Sequence, residues 1–262
     1  MKASFEEVYR QYYSRLYTLA FRMTGNTPDA EDVLQTSFLH AYSAFSSFRG
    51  DSEISTWLYR IVINASKKFR KEAFRLPVDS YAEENNVPLE NVFRHINSFG
   101  SVEDAALVKQ TRESCLQMFI NCMPQKYRAV YTLRVILDLP VRATTEILEM
   151  SESSVKVCLY RARKIAAGHI NGRCSLIRPG AMCDCRLFAG YLRETGKAGK
   201  LLDIRVIERS EEKAKEEYEK EISDLAKIDR LYRTGVEGRD YGDFIESVRK
   251  LKESKRYRLL ET

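Results

Sequence analysis

A basic amphipathic segment, residues 151–167, carries the side chains that a DNA-reading helix requires. Ser151 is placed to cap its first free amides, and Glu152 lies at the positive end of the helix dipole. In a helix-turn-helix the second helix enters the major groove, so its N-terminal residues meet base edges. A solvated basic helix face is the alternative interpretation. The candidate DNA contacts are Ser153, Ser154, Lys156, Val157, Tyr160, Arg161, Arg163 and Lys164.

A second candidate site, residues 45–71, interleaves aromatic, hydroxyl and cationic side chains. Aromatic rings stack on unpaired bases while neighbouring cations hold the phosphates, so this pattern indicates binding of a single strand. Core packing is the alternative for Phe48 and Trp57, and for Trp57 it is the better interpretation. The candidate contacts are Phe48, Arg49, Asp51, Ser52, Thr56, Trp57, Tyr59, Arg60, Asn64, Lys67 and Lys68.

A third cluster gathers one histidine and three cysteines between residues 169 and 185. Four nitrogen and sulfur ligands suit a tetrahedral site, which predicts zinc or another thiophilic divalent metal. Redox-active thiols and unliganded thiols are the alternatives. The candidate ligands are His169, Cys174, Cys183 and Cys185. The remaining cysteines fall at apolar helical positions, which indicates core packing: Cys115, Cys122 and Cys158.

The composition indicates a mildly basic globular chain. Its 262 residues carry a formal net charge of +6, which favours a polyanionic partner. No apolar run approaches membrane-spanning length, and the N-terminus lacks the pattern of a secretory signal. We therefore expect a cytoplasmic protein whose cysteines are thiols or metal ligands. No phosphate-binding loop or nucleophile–base motif occurs, so we predict that the protein is not an enzyme.

Helical periodicity predicts an all-α fold whose elements position these sites. Predicted helices span residues 5–23, 29–45, 55–72, 105–122, 125–137, 140–149 and 151–167. Residues 76–104 are acidic and weakly periodic, which predicts a flexible linker with a short helical piece near Phe93. The charged tail keeps one apolar stripe from Tyr218 to Tyr232, and a second short helix is predicted around Phe244.

These elements group into two small helical domains and three further segments. The predicted bounds are 1–75 for the first domain, 76–104 for the acidic linker, 105–168 for the helix-turn-helix domain, 169–190 for the Cys/His segment and 191–262 for a charged helical extension.

The order and spacing of several pieces resemble a known family. Residues 29–42, 48–52, 55–64, 123–128, 133–134, 146–148 and 151–163 are similar to bacterial sigma factors of the extracytoplasmic-function (ECF) group, in the sigma-70 family. The resemblance covers about residues 5–72 and 105–167. It implies a transcription initiation factor that binds core RNA polymerase and promoter DNA, requires no cofactor and leaves an anti-sigma factor open as a further partner.

The same resemblance assigns roles to the candidate sites. Residues 151–163 would read the −35 element, and residues 48–64 would melt and hold the −10 element. The helix at residues 29–42 would bind the clamp helices of the polymerase. In such proteins the linker runs through polymerase channels, although a solvated tether fits its composition equally well. The implied polymerase contacts are Asp29, Glu31, Asp32, Gln35 and Phe38.

Three positions depart from the family pattern. Glu149 and Asp138 stand where glycine is usual, and Thr144 stands where an apolar residue is usual. We therefore expect altered turn geometry and core packing around the helix-turn-helix, and the promoter preference does not transfer.

The extension suggests a built-in regulator. Metal binding or oxidation at Cys174, Cys183 and Cys185 would change whether the −35 helix is free, and the tail helices would pack on the sigma domains or bind a partner. A solvated charged tail is the alternative. Two other functions compete with a sigma factor: a helix-turn-helix regulator that binds duplex DNA without polymerase, and a metal or redox sensor with a vestigial DNA-binding block.

Overall fold

The computed structural model describes residues 4–69, 76–170, 172–200, 205–207, 224–233 and 235–253. The predicted all-α class is confirmed over these residues. The helices are α1 Phe5–Thr24, α2 Thr27–Ala44, α3 Ile54–Ser66, α4 Pro77–Glu84, α5 Leu89–Asn97, α6 Ala105–Asn121, α7 Gln125–Tyr131, α8 Val141–Leu148, α9 Glu152–Ile170, α10 Cys185–Glu194, α11 Asp224–Tyr232 and α12 Tyr241–Glu253. Two short strands, β1 Arg205–Ile207 and β2 Gly235–Glu237, pair antiparallel.

Helices α1, α2 and α3 form the first bundle. A capping box starts α1, because the Ser4 hydroxyl accepts from the Glu7 amide at 3.2 Å and the Glu7 carboxylate accepts from the Ser4 amide at 2.8 Å. Gly25 ends α1 in the left-handed conformation, and Asn26 caps α2. The fully buried side chains of the bundle include Leu16, Phe21, Val33, Leu34 and Leu58.

Helices α6 to α9 form the second bundle. Helix α7 continues into a π-helical turn, Thr132–Ile136, where a single helix over residues 125–137 was predicted. The turn buries Leu133 and Ile136. On α9, Ala162 and Ala166 are fully buried against this core, so the basic side of the helix faces outward.

The three departures from the family pattern each have a structural consequence. Asp138 and Glu149 have φ of 51° and 54°, the left-handed region that favours glycine. Glu149 in that conformation ends α8. Thr144 is fully buried, and its hydroxyl is satisfied by donating to the Pro140 carbonyl at 3.1 Å.

The linker prediction was wrong in one respect. Residues 76–104 are not an unstructured tether, because they contain α4 and α5, and the short helix expected near Phe93 is α5. Apolar side chains on α5 pack against α10, which the sequence pattern did not reveal. The buried side chains at this contact are Val92, Phe93 and Ile96.

The C-terminal extension returns to both bundles. Helix α11 packs on α9, β2 packs on α1, and α12 packs its Phe244 and Val248 against the core of the first bundle. The predicted second helix is therefore confirmed, whereas Tyr218 lies outside the described residues. The short β-pair was not predicted. No helix among the described residues has the length and apolarity needed to cross a membrane.

Replacing Glu149 by glycine should stabilise the protein. A non-glycine residue in the left-handed region costs about 1–2 kcal/mol of stability. Glycine avoids this strain, but its larger loss of conformational entropy on folding costs about 0.5–1 kcal/mol. We expect Glu149→Gly to raise the free energy of unfolding by about 0.5–1 kcal/mol in urea titrations. An unchanged or lower value would show that the exposed Glu149 side chain, 3.9 Å from Arg60, contributes more than the backbone strain removes.

Candidate nucleic-acid interface

Helix α9 presents an exposed, basic face. The Ser151 hydroxyl accepts from the Ser154 amide at 3.2 Å, which caps the helix as predicted. Val157 and Tyr160 are 48% and 60% exposed, although apolar and aromatic residues are usually covered. The predicted contacts that lie exposed are Ser153, Lys156, Val157, Tyr160, Arg161 and Lys164, and Ser154 is half-buried.

Neighbouring groups orient the cations of this face. The Lys156 ammonium lies 2.6 Å from the Glu152 carboxylate one turn earlier, and this hydrogen bond lowers the pKa of Glu152. Arg161 donates to the Tyr127 hydroxyl at 3.0 Å, and the Lys164 ammonium lies 5.7 Å from the centroid of the Tyr160 ring. These side chains are exposed, so their partners orient them without withdrawing them from solvent.

Arg163 is directed elsewhere. Its guanidinium approaches the Asp229 carboxylate of α11 at 2.6 Å, and that carboxylate also accepts from the Tyr131 hydroxyl at 3.1 Å. Burial is the main cause that raises the pKa of Tyr131, which keeps its hydroxyl protonated. Arg163 was predicted to contact DNA, but in this structure the C-terminal extension binds it.

The second candidate site lies on the loop between α2 and α3 and along α3. Phe48 and Trp57 pack with ring centroids 5.1 Å apart, and both side chains remain partly exposed. Ser52 is half-buried nearby. The exposed candidates are Arg49, Asp51, Asn64, Lys67 and Lys68. A partly exposed aromatic pair with surrounding cations is the arrangement that binds unpaired bases.

Three candidates on α3 have other partners in this structure, and their role as DNA contacts stays a prediction. Thr56 and Tyr59 are buried, and the Tyr59 hydroxyl accepts from Arg15 at 2.7 Å. Arg60 donates to the Glu146 carbonyl of α8 at 2.6 Å. The helical repeat turns Thr56 and Tyr59 into the bundle, while Arg60 reaches α8 and stays partly exposed.

The predicted polymerase contacts lie along α2, and the extension covers most of them. Glu31 pairs with Arg239 at 2.9 Å, Gln35 donates to Ser247 at 3.5 Å, and Phe38 packs edge-on against Phe244 with centroids 5.9 Å apart. Burial raises the pKa of Glu31, and the positive charge of Arg239 acts in the opposite direction by lowering it. Asp32 is exposed, and Asp29 is bonded to the capping Asn26.

The candidate metal ligands share one cavity without forming a metal site. His169, Cys174, Cys183 and Cys185 line an apolar cavity of about 90 Å³ together with Cys115. Within the described residues, however, no group of three or more His, Cys, Asp or Glu side chains is close enough to hold a metal ion. The His169 ring stacks on Phe119, and burial lowers its pKa. The predicted ligand set is therefore not assembled.

The sequence interpretation missed several residues of these surfaces. Cys115 looked like a core position of α6, and its approach to the other thiols depends on packing across α6 and α10. Asp229 and Arg239 looked like ordinary charges of a solvated tail. No local signal in the sequence links them to Arg163 or Glu31, which lie far away along the chain.

Comparisons with known proteins agree with this geometry. The family model Sigma-70 region 2 matches residues 8–75, and the model Sigma-70, region 4 matches residues 113–165. The first match covers most of α1 and all of α2 and α3, and the second covers most of α6 to α9. Together they define the class as a sigma-70 transcription factor.

Individual relatives narrow the class. The chain is 32% identical over 162 residues to the ECF RNA polymerase sigma factor SigW of Bacillus subtilis, which covers 62% of this chain and 86% of that protein. It is 28% identical over 165 residues to the RNA polymerase sigma-H factor of Pseudomonas aeruginosa, covering 62% and 84%. The chain belongs to the ECF group of the sigma-70 family. It is a non-enzymatic sigma factor that directs core RNA polymerase to promoter DNA.

A solved structure is also similar. The sigma factor RpoE in complex with the anti-sigma factor NepR from Bartonella quintana aligns with a TM-score of 0.42 and 15% identity, covering 63% of this chain and 96% of that one.

Both family models end before α10, so the Cys/His segment and the extension lie outside them.

The half-buried thiols of Cys183 and Cys185 should react slowly with alkylating agents. Burial raises the pKa of Cys183 and of Cys185 to about 12 each, so at pH 8 both are thiols, and the thiolate is the nucleophile. We expect iodoacetamide at pH 8 to label both at least about tenfold more slowly than in the urea-unfolded chain, with the rate rising toward pH 10. Equal rates in the folded and unfolded chains, measured by peptide mass spectrometry, would contradict this.

Proposed function

We propose that the outward face of α9 reads the −35 element. The observation that carries this proposal is the continuous exposed surface of Lys156, Val157, Tyr160, Arg161 and Lys164. Ser153, Lys156 and Val157 lie near the N-terminus of α9, where a recognition helix meets base edges. Tyr160, Arg161 and Lys164 follow about one turn later and bind phosphates.

The −10 element is bound by the loop after α2 and the exposed side of α3 in this proposal. Phe48 and Trp57 offer rings for stacking on unpaired bases, and Arg49, Lys67 and Lys68 neutralise the strand. In the present arrangement Thr56 and Tyr59 are buried, and Arg60 donates to the Glu146 carbonyl of α8. Their role in the proposal is to position α3.

The domain division follows from these roles. Residues 1–75 bind core polymerase through α2 and hold the −10 element, and residues 105–168 bind the −35 element. Residues 76–104 connect them and carry acidic side chains, of which Asp79 is bound by Arg173 at 2.7 Å. The site of action is the cytoplasm, where core polymerase and the chromosome are accessible. A separate anti-sigma factor would be a further partner.

Run-off transcription with bacterial core polymerase on the promoter of its own operon tests this assignment. We expect specific transcripts from the wild-type chain. Lys156→Ala and Arg161→Ala should each weaken promoter binding, by about 1–3 kcal/mol for a lost base contact and by less for a phosphate contact. A lost phosphate contact also reduces the slope of log affinity against log salt by about 0.9.

Arg94→Ala is the matched control, because Arg94 is an exposed arginine on α5, away from α9. It should leave binding to duplex promoter DNA unchanged. Retained binding to duplex DNA without any transcript would contradict the polymerase-dependent mechanism. It would instead favour a helix-turn-helix regulator that acts without polymerase.

A second proposal concerns the thiols. We propose that Cys174, Cys183 and Cys185, with Cys115, regulate the factor by taking up a thiophilic divalent metal. The supporting observation is that these four thiols line one apolar cavity. Cys115 replaces His169 in this set, because His169 stacks on Phe119. Metal uptake requires the sulfur atoms to draw together and to lose their protons.

Zinc titration against a chromogenic chelator tests the thiol proposal. We expect stoichiometric binding that releases protons, is lost in Cys183→Ser and changes run-off transcription in the wild-type chain. Cys158→Ser is the matched control, because Cys158 packs in a different cluster with Val130 and Val155. No zinc binding at pH 8, or transcription that zinc and a chelator leave unchanged, would contradict metal regulation.

A further inference from the structure

The face of α2 proposed to bind polymerase is covered by α12. Phe244 is buried and packs against Tyr9, Tyr13 and Phe38, with ring centroids 6.3, 5.2 and 5.9 Å away. Val248 is buried one turn later. These contacts place the apolar side of α12 directly on the groove between α1 and α2.

Polar contacts fix the same helix in register. The Arg239 guanidinium lies 2.9 Å from the Glu31 carboxylate, and Ser247 accepts from Gln35 at 3.5 Å. Glu31, Gln35 and Phe38 are three of the five residues proposed to contact polymerase. Each of the three has a partner in α12 or in the turn before it, so α12 occupies the side chains that polymerase would use.

Strand β2, which precedes α12 in the C-terminal extension, hydrogen-bonds to α1. The Val236 amide donates to the Thr18 hydroxyl at 3.0 Å, and Thr18 donates back to the Val236 carbonyl at 3.3 Å. Gly238 lies so close to the Tyr17 ring that a Cβ atom would clash with it. The backbone of the extension is therefore hydrogen-bonded to α1 as well as packed on it.

The other end of the segment holds the DNA-binding domain. Asp229 on α11 binds Arg163 of α9, and Ile228 and Tyr232 are buried in the core of the second bundle. The chain between Tyr232 and Tyr241 is short, so the two contacts are linked. When either α11 or α12 is released from its bundle, the effective concentration of the other helix at its own binding site falls.

We propose that residues 224–253 act as a competitor in cis, occupying the polymerase-binding face of α2 and an arginine of the DNA-reading helix at the same time. This inference rests on the proposed function of α2 and α9. Polymerase binds only the fraction of molecules whose segment is released, so the apparent dissociation constant equals the intrinsic one divided by that fraction. Signals that detach the segment activate the factor.

Two substitutions in the segment test the competition without touching α2. Phe244→Ala removes the central apolar contact, and Arg239→Glu places a like charge beside Glu31. We expect each variant to bind core polymerase about tenfold more tightly and to give more run-off transcript, since a released segment no longer competes. The Arg239 side chain is 58% exposed, so Arg239→Glu leaves the fold intact even if Phe244→Ala lowers the stability of the protein.

Arg249→Ala is the control, because Arg249 is exposed on the same helix. It should bind core polymerase as the wild-type chain does. If the two test variants bind polymerase no more tightly than this control, α12 is not a competitor, while the sigma function stands. If neither the wild-type chain nor any variant binds polymerase, the proposed function fails and this inference fails with it.

Discussion

The Arg128 guanidinium joins the two bundles. It donates to the Met23 carbonyl at the end of α1 and to the Asn121 and Met123 carbonyls at the end of α6, over distances of 2.8–3.2 Å. The last carbonyls of a helix have no partner within the helix, so one buried cation satisfies two helix ends at once. Burial lowers the pKa of Arg128, yet it stays charged because its ordinary pKa is far above neutrality.

Other arginines repeat this solution along the same boundary. Arg15 donates to the Leu137 carbonyl and Arg60 to the Glu146 carbonyl, both at 2.6 Å, and buried Arg22 donates to the Gln117 side chain at 2.8 Å. Gly25 completes the boundary, because any Cβ atom there would clash with Asn121. Helix α9 and the loop between α2 and α3 therefore belong to one packed body here, and the C-terminal extension packs over it.

Local sequence patterns predicted the helices of both bundles because their signals are local: apolar periodicity, a capping serine and a terminating glycine. The family resemblance marked Asp138 and Glu149 as standing where glycine is usual, and both adopt the left-handed backbone conformation. The tertiary partners were not predictable in this way. Arg163 binds Asp229 and Glu31 binds Arg239 across long stretches of chain, and nothing in a helical period indicates which solvated charge will become a partner. Likewise, α5 packs against α10, which lies far away along the chain.

The contacts of this molecule differ in their sensitivity to ionic strength. Arg15, Arg60 and Arg128 donate to neutral carbonyls across the boundary between the bundles, and such bonds lack the charge–charge attraction that dissolved ions screen most. The α12 contact includes the ion pair of Arg239 with Glu31, and the Arg239 side chain is more than half exposed. Rising salt therefore screens the Arg239–Glu31 pair beside α12 more than it weakens the hydrogen bonds that join the two bundles.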